Sequence, residues 1–549
     1  MARSLRCLLV YPEFTTRSFW NFRAACEIFG AKYPAPPLGL ITVAALLPSD
    51  WEARLVDCNV EQLSDDDLGW ADIVMTGGML AQQPSTLAVI ERAREVGKPV
   101  VVGGPDPTSS PHHYDRADYQ VLGEAEITLP RWLADFSAGV AVHRYEPGEQ
   151  RADAQKSPQP RFDLLKFDRY LYVGVQFARG CPFLCEFCDI IELFGRVPRL
   201  KTPEQMLGEL ERLYQLGHRG HVDFVDDNFI GNKRDVKKFL PRLISWQEAH
   251  GWPFEFSTEA SINLADDDEL LGLMQAAGFC TVFTGIESPD ETTLAHMQKK
   301  QNTRRSLAAS IRKLYAHGMY VNTGYILGFD TEGPRAADGV LNLIEESATA
   351  VSMVGMLFAL PGTQLSRRLA REGRLGANFD YVDSSDIGDH TLWGLNFTTV
   401  RPREEVMRGY RHVIAEIFKP EAYFGRVQRM SLELQCGAKK MRAPLRRWLK
   451  DMIGAARLIW RQGVLAPHRH LFWRTYARIM RQNPAAVRYA AILTAQYDHF
   501  GPFHKLLLAD LDRAIAAVET RGNRADLSTP PLGVELTIAA DSRLARSST

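Results

Sequence analysis

At 549 residues the chain is too long for one hydrophobic core and argues for two or three domains. A hydrophobic content of 45%, a charged content of 24% and a formal net charge of −1 describe an ordinary globular composition and exclude whole-molecule attraction to nucleic acid. No run of ~18 apolar residues is present, so no membrane-spanning segment is expected.

Residues 1–136 alternate short apolar runs with amphipathic stretches. The apolar run within 1–12 is too short for a signal segment and reads as a buried first strand. Runs at 5–11, 53–59, 71–76 and 99–102 predict buried strands, and 38–47 and 85–96 have helical spacing. That alternation predicts an N-terminal Rossmann-like, doubly wound parallel sheet. Glycines gather at the strand ends, in Gly77-Gly78, Gly103-Gly104 and Gly123-Glu124. They border either a ligand crevice or tight turns, and both readings stand.

Residues 137–170 lose periodicity, collect Pro147, Gly148, Pro158 and Pro160, and read as a linker. Over 171–400, strands are expected at 174–177, 221–225, 255–259, 281–286, 322–327 and 352–360. Six βα units suit a central partial (β/α)6 barrel with its chemistry at the carboxyl ends of the strands. Residues 401–520 read as a helical C-terminal region. The tail at 521–549 is expected to be disordered.

Just after the first barrel strand stands Cys181-Pro182-Phe183-Leu184-Cys185-Glu186-Phe187-Cys188. C-x3-C-x2-C fits three irons of one [4Fe–4S] cube and leaves the fourth iron without a protein ligand. A structural zinc would want a fourth ligand, and the nearest histidines, His218 and His221, are some thirty residues on. The other five cysteines, Cys7, Cys26, Cys58, Cys280 and Cys436, have no disulfide-like spacing. With an oxygen-sensitive cluster, they argue for a reducing, cytoplasmic setting.

The triplet with its aromatic before the last cysteine resembles the radical S-adenosylmethionine (radical SAM) superfamily. The domain order, with Arg179-Gly180-Cys181-Pro182-Phe183, Cys188-Asp189-Ile190 and the run from Phe224 to Asn232, is similar to its branch with a cobalamin-binding-type domain. That branch includes hopanoid C-2 methylases and arsinothricin biosynthesis proteins. The resemblance implies that the open iron binds the methionine part of SAM. It also implies a small-molecule substrate and an electron donor such as flavodoxin or ferredoxin.

The same resemblance assigns further residues. Phe187 offers a face to adenine, or is a plain core aromatic. Asp226, Asp227 and Asn228 end the second strand, where the family contacts the SAM ammonium; one or two of them are expected to touch it while others cap the next helix. Glu259 and Ser261, and Glu287 and Ser288, end the third and fourth strands and could accept from ribose hydroxyls or the ammonium, or be solvated loop groups. Gly324, Ile326 and Gly328 form a G-x-I-x-G segment against adenine. The run 360–363 would line the substrate mouth.

Many cobalamin proteins ligate cobalt through the histidine of a D-x-H-x-x-G loop, and this chain has no histidine before His112. That departure weighs against cobalamin, and turnover without it is the expectation. The reaction expected is then transfer of a 3-amino-3-carboxypropyl group from SAM to trivalent arsenic, as in the arsinothricin branch. The alternative is cobalamin-dependent radical C-methylation of a lipid or other natural product. A non-catalytic metal-binding interaction protein is the rival from another class.

In the C-terminal region, residues 438–482 carry Lys439, Lys440, Arg442, Arg446, Arg447, Lys450, Arg457, Arg461, Arg469, Arg474, Arg478 and Arg481 against Asp451 alone. Trp448, Trp460, Phe472, Trp473 and Tyr476 are interleaved. One reading is a helix on an anionic membrane surface. The preferred one is a helix pair that packs its aromatics on the barrel and leaves its cations in water.

Overall fold

The computed structural model describes residues 4–15, 18–376, 394–437 and 445–521. The expected tail, the cations Lys439, Lys440 and Arg442, and the side chains of Arg446 and Arg447 lie outside that description.

Six parallel strands form the N-terminal sheet: β1 (Arg6–Tyr11), β2 (Glu52–Asp57), β3 (Ile73–Gly77), β4 (Val100–Gly103), β5 (Tyr119–Val121) and β6 (Arg144–Tyr145), in the order β2-β1-β3-β4-β5-β6. Alternate residues serve opposite cores. Cys7 and Leu9 of β1 join Ile73, Met75 and Val101 on one face. Leu8 and Val10 join Val74, Val100 and Val102 on the other. Helices cover both faces, so the strands read as continuous apolar runs rather than half-polar ones.

The strand order reverses between β1 and β3, the position at which open α/β sheets bind ligands. Beside it Gly77 and Gly103 are forced by close packing, since a Cβ on Gly77 would lie 2.0 Å from the Gly103 carbonyl oxygen. Residues 137–170 are not a free linker. They contribute β6, and Tyr145, Ala154, Phe162 and Leu165 are buried.

The second sheet holds β7 (Val173–Val175), then, past a two-stranded ribbon of β8 (Ala178–Arg179) and β9 (Arg199–Leu200), β10 (Gly220–Phe224), β11 (Phe254–Glu259), β12 (Phe279–Glu287), β13 (Tyr320–Leu327) and β14 (Ser352–Met356). All six barrel strands are parallel and lie in the order β14-β13-β12-β11-β10-β7. The two edges are not paired, so the barrel is partial. The sixth strand ends at Met356, earlier than the expected 360.

Among the described residues from 394 on there are five α-helices: Arg403–Ile417, Pro420–Glu433, Leu445–Leu458, Arg469–Gln482 and Val487–Arg521. The last of them covers the amino ends of the barrel strands. There Arg488 pairs with Glu255 of β11, and Tyr489 meets Tyr320 of β13 at 5.7 Å. His221 Nδ1 lies 3.7 Å from Glu255, and Cys280 joins them in a tight His–Glu–Cys group. Cys280 therefore sits at the closed end, away from the cysteine triplet. The same helix touches the N-terminal segment, where His499 Nε2 is 3.0 Å from the Phe19 carbonyl oxygen.

Candidate active site

The cysteine loop leaves β8 at the carboxyl mouth of the barrel and returns to β9. Its shape begins at Gly180, whose φ of 92° suits only glycine and whose Cβ would lie 2.8 Å from the Gly195 carbonyl oxygen. Glu186, inside the motif, is buried and gripped by both arms of Arg368 at 3.0 and 3.2 Å. The Leu365 N–H donates to the Glu186 carbonyl at 2.8 Å. The loop is thus anchored to the helix Gln364–Arg371 before any cofactor arrives.

Burial raises the thiols of Cys181, Cys185 and Cys188. Asn228 Nδ2 lies 3.9 Å from the Cys181 sulfur, and Gln301 Nε2 lies 3.7 Å from that of Cys185. Among the described residues, the His221–Glu255–Cys280 set is the one group of three or more His, Cys, Asp and Glu whose donor atoms all lie within 4.8 Å of one another. The three motif sulfurs are therefore spread wider than the ~3.8 Å that ligands of a tetrahedral zinc require. Their C-x3-C-x2-C spacing on one loop offers three ligands, the number a [4Fe–4S] cube with one open iron takes.

Of the three polar residues that follow β10, the two acids turn to backbone N–H groups. Asp226, 1% exposed, accepts from the Ala178 N–H through Oδ1. Its Oδ2 has no partner, and burial raises it well above the usual carboxylate range. Asp227 accepts from the Gly180 N–H at 2.8 Å and is pushed up to about 6 by burial, which that hydrogen bond opposes. Both carboxylates therefore hold the backbone that launches the cysteine loop. Asn228 bridges the Cys181 sulfur to Ser261, donating to Ser261 Oγ at 3.2 Å and accepting from its N–H at 3.2 Å.

Glu259 ends β11 with its carboxylate open to the mouth. Desolvation by the enclosing walls, then Asp223 and Asp227, push it up to about 8, against Lys299. Glu287 ends β12 in the left-handed region at φ 65°, a costly conformation for glutamate and frequent at working sites. Its buried carboxylate pairs with Lys299. Lys299 also lies 5.9 Å from the centre of the Phe187 ring, and the anionic forms of Glu287, Cys185 and Cys188 raise its pKa against burial. Ser288, by contrast, is a turn residue: its Oγ accepts from the Asp290 N–H at 3.1 Å.

Gly324 passes under Phe283, with its Cβ position 3.2 Å from that ring. Gly328 has φ 115°, and its N–H donates to Glu332 at 2.9 Å. Ile326 is half-buried between them. Trp20, from the N-terminal segment, meets Phe283 edge-on at 5.6 Å and keeps 39% of its surface exposed.

Sequence reasoning missed the segment 297–302. The Glu186 N–H donates to the Met297 carbonyl, Lys299 pairs with Glu287, Gln301 reaches Cys185, and Asn302 Nδ2 donates to the carbonyls of Gly285 and Ile286 at 3.0 Å. Gln301 Oε1 and Asn302 Oδ1 are buried without partners. Two adjacent lysines in a polar run gave no signal for this. Glu124 was also missed, although it stands in the glycine-marked end of β5. It is 2% exposed at its side chain and meets Arg179 at 3.1 Å and Arg199 at 2.9 Å, while Glu126 meets Arg179 at 2.8 Å. Arg179 immediately precedes the cysteine loop, so four charges, Glu124 buried and the other three partly so, fasten the N-terminal sheet to it.

For a cobalamin, the β1/β3 switch point is the place the topology offers. Gly77-Gly78 and Gly103-Gly104 let the strand ends and the turns after them pack on one another, with Gly78 against Gln82 and Gly103 against the Val121 carbonyl, which shapes the rim of that crevice. The residues fit a cobalamin held by shape, with no imidazole in the first 111 positions to ligate cobalt.

Three family models match the chain: the B12 binding domain over residues 28–133, the Radical SAM superfamily over 175–344, and a domain of unknown function, DUF4070, over 363–512. An uncharacterized methyltransferase of Synechocystis sp. is 42% identical across 92% of this chain and 93% of its own length. The hopanoid C-2 methylase of Rhodopseudomonas palustris is 35% identical across 86% of this chain and 88% of its own. Among solved structures, the cobalamin-dependent S-adenosylmethionine radical enzyme OxsB aligns with 95% of this chain and 82% of its own at TM-score 0.58 and 15% identity. The radical S-adenosylmethionine methyltransferase TsrM of Kitasatospora setae aligns with 67% and 75% at TM-score 0.54 and 16% identity; both likenesses concern the fold. The B12-domain match overturns the expectation that cobalamin is disfavoured: a missing axial histidine removes one ligand and leaves the domain's shape intact. The chain belongs to the radical SAM methyltransferase family that carries an N-terminal B12-binding domain.

Proposed function

We propose that this protein is a cobalamin-dependent radical SAM C-methyltransferase acting on a carbon of a small natural product, with a flavodoxin or ferredoxin as electron donor. The observation that carries this reading is the clamp of Glu124 and Glu126 on Arg179 and Arg199. It fastens the B12-type sheet directly to the strand that launches the cysteine loop. In this reading Cys181, Cys185 and Cys188 hold the cluster and the β1/β3 switch point holds cobalamin. When bound, these groups supply the electron that cleaves SAM and the carrier for its methyl group.

The chain's own residues then bind and orient. Asp226 and Asp227 fix the backbone at Ala178 and Gly180. Asn228 and Ser261 present neutral donors and acceptors beside Cys181. Glu259 and the Glu287–Lys299 pair set the charge facing a zwitterionic methionine moiety, and Phe187, Gly324, Ile326 and Gly328 give adenine an apolar wall. Trp20 and Phe283 narrow the cavity from the side of the N-terminal domain, excluding water from the reacting carbon.

Aminocarboxypropyl transfer to arsenic is not the reading favoured here. A trivalent arsenic acceptor calls for thiols near the mouth, yet Cys26 is fully buried and Cys280 lies at the closed end. The relatives above are named as methylating enzymes. Separation of the nucleosides from a reduced, cobalamin-loaded reaction decides between the two. 5′-Deoxyadenosine and S-adenosylhomocysteine together, dependent on cobalamin, are expected; methylthioadenosine would overturn the reading.

A further inference from the structure

The helix Leu445–Leu458 and the turns after it are amphipathic in the wrong sense for a globular protein. At about 100° per residue, Trp448, Leu449, Met452, Ile453, Ile459 and Trp460 fall within an arc of roughly 140°, and all six are exposed. The buried residues, Gly454 and Leu458, lie on the opposite side. The Gly454 Cβ position is 3.1 Å from Phe29, and Arg457 donates to the Glu27 carbonyl at 3.1 Å. The helix thus rests on the N-terminal domain through its small and basic side and turns its apolar side outward. Val464 and Leu465 continue that surface. Trp473 joins it by donating its indole N–H to the Gly463 carbonyl at 2.8 Å. The expected packing of aromatics on the barrel holds for Phe472 and Tyr476, which are buried, and fails for all three tryptophans.

We propose that this face docks the protein on an anionic lipid bilayer, with the three tryptophans and their aliphatic neighbours in the headgroup region and the surrounding arginines on lipid phosphates. Charge selects this occupant. Residues 445–482 contain Asp451 as their one acidic residue among nine lysines and arginines. Arg469, Arg474 and Arg481 are exposed, and no acidic side chain pairs with them among the described residues. A second copy of the chain on this face would bring the same cations against them and be repelled. A bilayer offers apolar depth under a negative surface, and basic helices with tryptophan and aliphatic residues on one side lie at that boundary.

The test uses the full-length protein and needs no turnover, so it stands apart from the methyltransferase reading. Protein is sedimented with vesicles of phosphatidylcholine alone, or of phosphatidylcholine and phosphatidylglycerol at about three to one. Binding to the anionic vesicles is expected to be at least about tenfold tighter than to the neutral ones and to weaken as salt is raised. The triple variant Trp448→Glu, Met452→Glu, Trp460→Glu should lose about tenfold or more, because it places acids on the apolar face. The triple variant Arg474→Glu, Arg478→Glu, Arg481→Glu should lose the preference for anionic lipid. All six positions are exposed, and unchanged circular dichroism confirms that each variant is folded. Wild-type protein that fails to sediment with the anionic vesicles at low salt overturns the proposal. So does a concentration-dependent dimer that the tryptophan variant disperses without any vesicle binding.

Discussion

The two ends of the barrel both hold buried charge, and they use it differently. At the closed end, Glu255 lies between Arg488 and His221, and Ser257 bridges His221 to Asp223. Each group meets a partner from a neighbouring strand or from the last helix. At the mouth, Asp226 Oδ2, Gln301 Oε1 and Asn302 Oδ1 are buried with none. Glu287 is held in a left-handed conformation, and Glu259 is raised to about 8. Unpaired buried polar atoms and strain both cost stability. The closed end carries such features too, in Asn322 Oδ1 and in the left-handed Trp252; what sets the mouth apart is that they stand beside the cysteine loop, where the proposed reading puts the ligand.

The largest effect should come from the cysteines. Replacing Cys181, Cys185 and Cys188 together by alanine should abolish SAM cleavage and reduce reconstituted iron from about four per chain to background. Wild-type turnover by that variant would remove the distinction between the ends. Next comes the buried pair. Lys299→Met strands the Glu287 carboxylate and should cost about 3–5 kcal/mol by denaturant titration. The double variant Lys299→Met, Glu287→Gln should regain most of that stability, because no charge is left unpaired. Its activity should stay low, since the charge facing the substrate is gone. Recovery of both would make the pair purely structural.

The sequence made the architecture legible, because parallel strands buried on both faces are written as plain apolar runs, as in β3, where every residue is buried. The cysteine loop was legible because its chemistry needs fixed spacing. Strand-end acids were found by position, yet their targets were not. Asp226 and Asp227 turn back to Ala178 and Gly180, a choice set by the ribbon β8–β9, which no local pattern announces. Lys299 and Glu124 reach the site from outside any motif, through long-range packing. The cobalamin expectation turned on one missing histidine, whereas the likeness to the B12 binding domain extends over residues 28–133 and depends on no single side chain.

A smaller effect tests the electrostatics of the mouth. Glu259 has an ordinary value near 4.5 and is pushed up to about 8 in the folded protein by desolvation. The residue is exposed, so water screens part of that shift, and the folded protein holds the proton more tightly than the unfolded chain. Stability from this group is complete below about pH 4.5 and is lost as pH rises toward 8. Thermal melting of the cofactor-free protein should therefore fall across that window, and Glu259→Gln should flatten the slope. An unchanged slope in the variant would show that Glu259 is ordinary solvated carboxylate.

The smallest effect should belong to the closed end. Arg488 is nearly half exposed, with side-chain accessibility of 45%, although its partner Glu255 is at 12%. Its removal lets water reach the carboxylate, and His221, pushed up to about 10 by Cys280 and Glu255 against burial, remains as a second cation. Arg488→Met should therefore cost only about 1 kcal/mol and leave SAM binding and product distribution unchanged. The stability that His221 contributes through this charge is complete below its ordinary value near 6.5 and is lost as pH rises through about 10. The penalty of Arg488→Met should accordingly grow in denaturant titrations between those limits. A loss of SAM cleavage in this variant would mean that the closed end communicates with the mouth through the layer of Asp223 and Ser257 between them.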